Sequence, residues 1–317
     1  MNIIKTFIFG LVPLVLFGCA TSKVQRPENL VDAQQPIQQE DYQGLKRKVA
    51  IARFSNQTES SRGAFYDVQR DPLGKQGLDI LSTRLTASNK FILLERNDLD
   101  KIEEELKLVG NESSFQKVGA DYLIIGAITE YGRKVVGEEG VFSRSKTQHV
   151  QAGVSIRLVD VYTGQVVYSE EAKGLAETTT STVMGVGGTA NYDATLSDKA
   201  ISAAISKLVE NIINNCTDRP WKSYILSNEG DAVIIAGGKS QGIKVGDIFE
   251  VLLRGKKITN PQTGMLMELP GTSVGKIQVL SMGGDDVQSE YSIVSFIQGN
   301  LDKGKELDQF IIQEIKK

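Results

Sequence analysis

The residues with the clearest chemical potential stand at 16–19, where the chain reads Leu16-Phe17-Gly18-Cys19. An aliphatic, a variable and a small residue directly before a cysteine form a lipobox, in which the cysteine thiol accepts acyl groups after export. Before it, Lys5 precedes an apolar run at 7–17, which is the layout of a secretory signal. That run is too short for a membrane-spanning helix of about 20 apolar residues. We predict a signal peptide at 1–18 and lipidation of Cys19.

Several acyl chains on one cysteine would give a stable membrane anchor. The residue after the cysteine is Ala20 and not an aspartate. By the sorting rule of well-studied Gram-negative bacteria, this predicts attachment to the outer membrane, facing the periplasm. The glutamine-rich segment that follows contains Pro27 and Pro36 and few large apolar residues. Residues 19–45 are therefore predicted to be a lipidated N-terminus and a flexible tether.

Candidate chemistry beyond the anchor is scarce. The chain has a single histidine, His149, and one further cysteine, Cys216. A catalytic triad or a Cys–His pair would depend on His149, and a surface or lumen-facing strand position is the simpler interpretation. With Cys19 lipidated, Cys216 has no intramolecular partner, so it is a packing residue or, alternatively, an intermolecular bridge. One His and one Cys cannot form a zinc site without carboxylates. We predict no metal and no cofactor.

Two glycine-rich stretches could suggest nucleotide binding. Gly238-Lys239-Ser240 resembles the end of a phosphate loop, but that pattern requires glycine where the chain has Val233. The stretch at 185–188 lacks the preceding apolar strand and the acidic partner of a dinucleotide fold. We interpret the first as a loop between strands and the second as a hairpin tip. A hydrolase or nucleotide enzyme is therefore the least favoured hypothesis, and the net charge of −3 argues against a nucleic-acid partner.

Strand and helix patterns alternate between residues 46 and 215. This order predicts an α/β (α+β) domain in which helices cover a sheet. The predicted strands are 48–54, 91–94 and 121–131, and the predicted helices are 75–87, 99–109 and a long one that Asp198 caps.

The most regular alternation lies at 150–161. One side of this predicted strand is apolar and the other is mostly polar, and a turn at 162–165 leads to a returning strand at 166–168. The apolar side consists of Val150, Ala152, Val154, Ile156 and Leu158.

The sequence changes character between 216 and 224. Short apolar runs divided by glycine turns follow, among them Gly237-Gly238, Gly246-Asp247 and Gly283-Gly284. Strands at this spacing predict a small all-β, SH3-like barrel domain over 222–317.

Taken together, the segments from 48 to 214 resemble the curli secretion channel family, the CsgG/HfaB-like lipoproteins. The resemblance is carried by 49–54, 91–96, 119–126 and 159–165, in that order, and by the lipobox at Cys19. The last third is similar to the C-terminal domain of flagellar assembly protein T at 245–251 and 260–264.

The resemblance implies a ring of identical protomers, each adding two β-hairpins to a shared outer-membrane barrel. The hairpins would be 129–158 and 166–197, with the apolar row from Val150 to Leu158 facing the membrane. A loop at 60–73 would narrow the pore. Phe65 and Tyr66 in that loop are either an aromatic collar or an anchor that docks the loop on its own domain.

Two functional hypotheses stay open. The first is a homo-oligomeric channel that exports unfolded secreted or appendage subunits. The second is a non-channel, periplasm-facing scaffold that binds envelope or appendage partners. Charged residues in the hairpins, such as Arg133 and Lys134, favour the second, because an exposed Arg or Lys at mid-bilayer costs about 2–4 kcal/mol.

Overall fold

The computed structural model describes residues 42–58, 71–108, 118–139, 143–183, 186–187, 195–230, 232–259, 261–262, 266–302 and 304–315. The described residues lie in one compact unit of the chain, within Val31–Lys317. They form two large sheets, each with its own buried core. The fold is a mixed α+β fold that consists mostly of strands.

The first sheet has six strands: β1 (Arg47–Asn56), β2 (Phe91–Leu94), β3 (Tyr122–Glu139), β4 (Ser143–Asp160), β5 (Val166–Val183) and β6 (Val186–Gly187). They lie side by side in the order β2-β1-β3-β4-β5-β6. β1 pairs in parallel with β2 and with β3, whereas β3, β4 and β5 form an antiparallel meander.

Three helices accompany this sheet: α1 (Pro72–Ala87), α2 (Leu99–Leu108) and α3 (Thr195–Thr217). The Asp71 carboxylate caps α1 by accepting a hydrogen bond from the Gly74 amide at 2.8 Å. Helix α3 begins at Thr195, so Asp198, the predicted N-cap, lies inside its first turn. Apolar residues of α1 and α3 join those of the sheet in a single core. The predicted sheet-and-helix arrangement is therefore present.

The apolar row of β4 lies inside this core. Its five side chains have no exposed surface, and they belong to the same cluster as Ile201, Ile205 and Leu208 of α3. The expectation that this row faces a membrane is therefore corrected: the alternation reflects burial under a helix that follows some 40 residues later in the chain. The row consists of Val150, Ala152, Val154, Ile156 and Leu158.

Helix α3 lies directly on the backbone of β5 at Gly174. A Cβ atom at this position would lie 2.0 Å from the carbonyl oxygen of Ala200 and 2.7 Å from the amide nitrogen of Ala204. The absence of a side chain therefore sets the distance between helix and sheet.

The second sheet has seven strands: β7 (Lys222–Ser223), β8 (Ile225–Asn228), β9 (Val233–Ala236), β10 (Ile248–Leu253), β13 (Thr272–Gly283), β14 (Tyr291–Gly299) and β15 (Phe310–Glu314). A separate hairpin pairs β11 (Lys257–Thr259) with β12 (Leu266–Glu268). The seven strands lie in the order β7-β15-β10-β13-β14-β9-β8. The edge strands β7 and β8 are separated in the chain only by Tyr224, so the sheet is nearly closed. The SH3-like class is not confirmed.

The core of the second sheet includes a residue from the opposite end of the chain. Leu45, just before β1, is 9% exposed and packs in one cluster with Trp221, Phe249 and Phe310. The adjacent Lys46 amide donates to the Gln241 carbonyl at 2.8 Å. The segment before β1 is thus part of the second sheet's core.

A buried arginine joins the two sheets. Arg47, the first residue of β1, is 4% exposed, and its guanidinium donates to the carbonyl oxygens of Leu45 at 2.7 Å and Arg219 at 2.6 Å. It also pairs with the Glu314 carboxylate on β15 at 3.1 Å. The same carboxylate accepts a hydrogen bond from the Trp221 amide at 2.9 Å. These contacts tie the start of the first sheet to the last strand of the second.

The carboxyl group of Asp121 makes stability depend on pH. It accepts a hydrogen bond from the Lys48 amide at 2.8 Å, but burial raises its pKa above the ordinary value. The folded protein then holds the proton more tightly than the unfolded chain, so stability falls as pH rises through the folded-state pKa. Asp121→Asn keeps an acceptor for Lys48 and should raise the urea midpoint at pH 7.

This gain should shrink as the pH falls through the ordinary aspartate pKa of about 4 and vanish by about pH 3, where the carboxyl is mostly protonated in both states. Asp79→Asn, on the exposed side of α1, serves as the control and should leave the midpoint unchanged at either pH. An Asp121→Asn protein that is less stable than wild type at pH 7 would contradict the assignment of burial as the dominant cause.

Candidate functional site: the distal sheet

Three strands of the first sheet continue past the helices. The first turn of α3 meets β3 where the Tyr131 hydroxyl lies 2.6 Å from Ser197 Oγ and the Arg133 guanidinium lies 3.3 Å from the same atom. The β3–β4 pairing continues to Glu139↔Arg144, and the β4–β5 pairing continues to Ser143↔Val183. We call 132–139, 143–149 and 175–183 the distal sheet.

The distal sheet has two strand edges that are open within the described part of the chain. β1 pairs with β3 only as far as Ile128, so the outer edge of β3 has no described partner from Glu130 onward. On the other side, β6 pairs with β5 only at Thr182 and Val183. Open strand edges present unpaired backbone donors and acceptors, which readily pair with another strand.

The face of the sheet that points away from the core carries polar contacts between neighbouring strands, and these contacts continue into the distal sheet. The Lys173 ammonium lies 2.6 Å from the Glu130 carboxylate, and this hydrogen bond raises the pKa of Lys173. Further along, His149 Nδ1 lies 3.4 Å from the Glu177 carboxylate. These contacts hold neighbouring strands in register and leave a hydrated surface.

Both faces of the distal sheet are polar. Lys134 pairs with His149, which places it on the same face as the His149–Glu177 contact. Lys146 stands four positions before Val150 on β4, and side chains at even spacings on a strand point to the same face. Lys146 therefore lies on the face of the core row, opposite to His149. Val135, on the open edge of β3, is 52% exposed. The arrangement can hydrogen-bond to another strand, but it does not form a continuous apolar band.

The predicted site residues do not form one cluster. His149 lies on β4 against Glu177, consistent with a surface strand position. Cys216 is fully buried in the first core, and burial raises the pKa of its thiol to about 12, so it is a packing residue without thiolate chemistry. Cys19, Phe65 and Tyr66 lie outside the described residues, as does the signal peptide. Of the predicted hairpin tip at 185–188, only Val186 and Gly187 are described, as strand β6.

The loop that resembled a phosphate site binds a carboxylate of its own chain. The Ser240 amide and hydroxyl donate to the Glu290 carboxylate at 2.9 and 2.8 Å. Glu290 therefore occupies two donors of this segment, which connects strands β9 and β10. Among the described residues, no three or more His, Cys, Asp or Glu side chains lie together as a metal site would require. None of the described helices is both long and apolar enough to cross a membrane.

Comparison with known proteins gives a family match over residues 30–245, to "Curli production assembly/transport component CsgG". A lipoprotein of Neisseria meningitidis serogroup B is 32% identical over 210 residues, which cover 65% of this chain and 92% of that protein. The match to the family ends within the second sheet. The similarity of the last third to flagellar assembly protein T is not confirmed.

One solved structure with partial likeness is the PelC dodecamer from Paraburkholderia phytofirmans, which is 18% identical in sequence. The match covers 52% of this chain and 86% of that chain, with a TM-score of 0.26. A crystallised lipoprotein from Neisseria meningitidis is 16% identical, covering 54% of this chain and 99% of that chain with a TM-score of 0.22. Both TM-scores are too low to support an argument about assembly.

Proposed function

Because the chain belongs to the CsgG family of curli production assembly and transport components, we propose that it is a lipid-anchored, ring-forming envelope lipoprotein without enzymatic activity. Cys19 would carry the anchor in the outer membrane, with the folded part facing the periplasm. The proposal is supported by the lipobox and by the identity of 32% to a lipoprotein. The observation that carries the ring is the pair of open edges on the distal sheet.

The two open edges belong to different strands, β3 on one side and β5 with β6 on the other. Pairing β3 of one protomer with the opposite edge of the next is a head-to-tail contact, which repeats from protomer to protomer and gives a ring when the rotation between them closes. Each contact would satisfy backbone groups that are otherwise left to water. Such a ring needs identical protomers and no additional component.

Within this proposal, the scaffold role fits the side chains of the distal sheet better than the channel role. Lys134 and Lys146 lie on opposite faces. Whichever face lined a pore, one of these two lysines would face lipid. An exposed lysine at mid-bilayer destabilises the inserted state by about 2–4 kcal/mol. We therefore propose a periplasm-facing ring that holds secreted or appendage subunits during curli-type assembly.

An export channel is the second candidate, and the family to which the chain belongs favours it. β3, β4 and β5 each have 18 residues. Their parts in the distal sheet, at 132–139, 143–149 and 175–183, come close to the length of about 9–11 residues that a membrane-spanning strand needs. Conductance of the detergent-purified, lipidated protein in planar bilayers separates the two roles. Stable single-channel steps would establish the channel, whereas rings in negative stain without conductance would establish the scaffold.

The anchor can be tested by replacing the acyl acceptor. Cys19→Ser should abolish incorporation of radiolabelled palmitate, because serine lacks the thiol that forms the thioether. Cys216→Ala, which changes the chain's other cysteine, should label like wild type. Palmitate incorporation that persists in Cys19→Ser would reject the anchor.

The ring can be tested at the open edge of β3. Val135→Asp should weaken association by about tenfold or more, equivalent to about 1.4 kcal/mol, because pairing would desolvate the new carboxylate. Light scattering after size exclusion should show the loss of the oligomer. Leu226→Asp, at a residue 49% exposed on β8 of the second sheet, should leave the ring intact. Equal loss in both variants would mean that charge alone, and not this edge, controls assembly.

A further inference from the structure

An exposed apolar cluster lies on the second sheet. Val245 is 64% exposed, Ile248 is 43%, Leu280 is 51% and Ile315 is 38%. Single exposed apolar residues are ordinary, but a contiguous group marks an interaction surface. We call these four residues the Val245 cluster.

Strand pairing brings the four residues together. The β10–β15 register pairs Phe249 with Glu314, which places Ile315 beside Ile248. Phe249 and Glu314 lie on the core side of their strands. Ile248 and Ile315 are one position away and therefore lie on the outer side. On the other side, the Gly246 amide donates to the Val279 carbonyl at 2.9 Å, so Val245 lies alongside Leu280. The four side chains therefore share one outer region of the sheet.

The N-terminal segment enters the fold next to this cluster. The Lys244 ammonium donates to Gln43 Oε1 at 2.6 Å, and Lys244 directly precedes Val245 in the chain. Roughly 20 residues separate Tyr42 from Cys19. The tether predicted from the sequence over this segment would span about 25 Å on average. An anchor on Cys19 would thus hold the cluster close to the membrane.

We propose that the Val245 cluster inserts into the membrane surface that holds the lipid anchor. The inference rests on the lipidation of Cys19 in the proposed function. A second protein copy is a poorer occupant, because a stable interface uses roughly 20–30 residues on each side and this cluster has four. Shallow insertion of a few apolar side chains between lipid headgroups needs no such area. The cluster and the acyl chains then form two attachments to one bilayer.

The test places a nitroxide on the lipidated full-length protein, reconstituted in phosphatidylethanolamine–phosphatidylglycerol vesicles. Leu280→Cys carries the label, and Leu226→Cys, at a residue of similar exposure on β8, is the matched control. Cys216 is buried and Cys19 would be acylated, so neither competes for the reagent. We expect oxygen to relax the label at 280 more than a water-soluble nickel complex does, and the reverse at 226.

A second variant changes the cluster without changing the labelled position. Val245→Asp combined with Ile248→Asp should move the label at 280 into the aqueous range. Emission from Trp221, the single tryptophan and 1% exposed in the second core, should stay unchanged and report an intact fold.

Three outcomes would overturn the inference. A label at 280 that behaves like the one at 226, on protein that floats with the vesicles, would reject membrane contact but leave the anchor intact. A label at 280 that is shielded from both oxygen and nickel would indicate a protein partner instead. Protein that does not float would reject both the anchor and the membrane contact.

Discussion

Gly174→Val should destabilise the first sheet by about 3 kcal/mol, the upper part of the range for overpacked cores. A Cβ atom at 174 would lie 2.0 Å from the Ala200 carbonyl oxygen and 2.7 Å from the Ala204 amide nitrogen. Both atoms belong to the helix backbone, so no side-chain rotation can relieve the overlap. Helix α3 would have to move away from β5 and open the core around Ile205 and Leu208.

Urea unfolding followed by far-UV circular dichroism measures this effect. Gly132→Val on β3 is the matched control, because no atom lies within 4 Å of a Cβ built there. Valine is favoured in strands, so the control should be neutral or slightly stabilising. A Gly174→Val protein within 1 kcal/mol of wild type would mean that α3 does not rest on the strand backbone as described.

Arg47→Met should cost about 3 kcal/mol, because it removes a buried charge that satisfies three acceptors. The Leu45 and Arg219 carbonyls would lose their donor, and the Glu314 carboxylate would lose its cation. Methionine retains much of the apolar length of the side chain, so the effect isolates polar contacts from packing.

Two signals separate local from global effects of this change. Trp221 fluorescence reports the second core, whereas circular dichroism near 222 nm reports the helices of the first sheet. In Arg47→Met the two transitions should separate, since the contact joins the sheets. Arg53→Met, an exposed residue of the same strand, should leave them coincident. Coincident transitions in Arg47→Met, at an unchanged midpoint, would show that the arginine does not couple the sheets.

Elements with local periodicity could be predicted from sequence. β2 was predicted at the bounds that it has, and α2 within one residue, because each is short and carries its own apolar pattern. The β4–β5 turn at 162–165 was also predicted, from its Thr-Gly pair. Strand β3 was predicted eight residues too short. Its distal part is polar, and it is extended by cross-strand pairing, which a single strand's sequence does not encode.

The partner of an apolar face could not be predicted. The row from Val150 to Leu158 alternates in the same way whether lipid or a helix covers it. The Gly174 position that fixes α3 above β5 carried a usable signal, since a glycine inside a strand often marks close approach of another backbone. Contacts such as Arg47 with Glu314 join residues 267 positions apart, and no local pattern points to them.

The placement of Leu45 has a consequence for mechanical load and for the order of folding. This residue packs with Trp221 and Phe310, and the next residue, Lys46, is hydrogen-bonded to Gln241. A pull on the N-terminus would therefore strain the C-terminal strands before it reached β1. During synthesis, Leu45 emerges early, but its pocket is complete only when the last strand, β15, has been added. Until then its side chain is an exposed apolar group that a chaperone can bind.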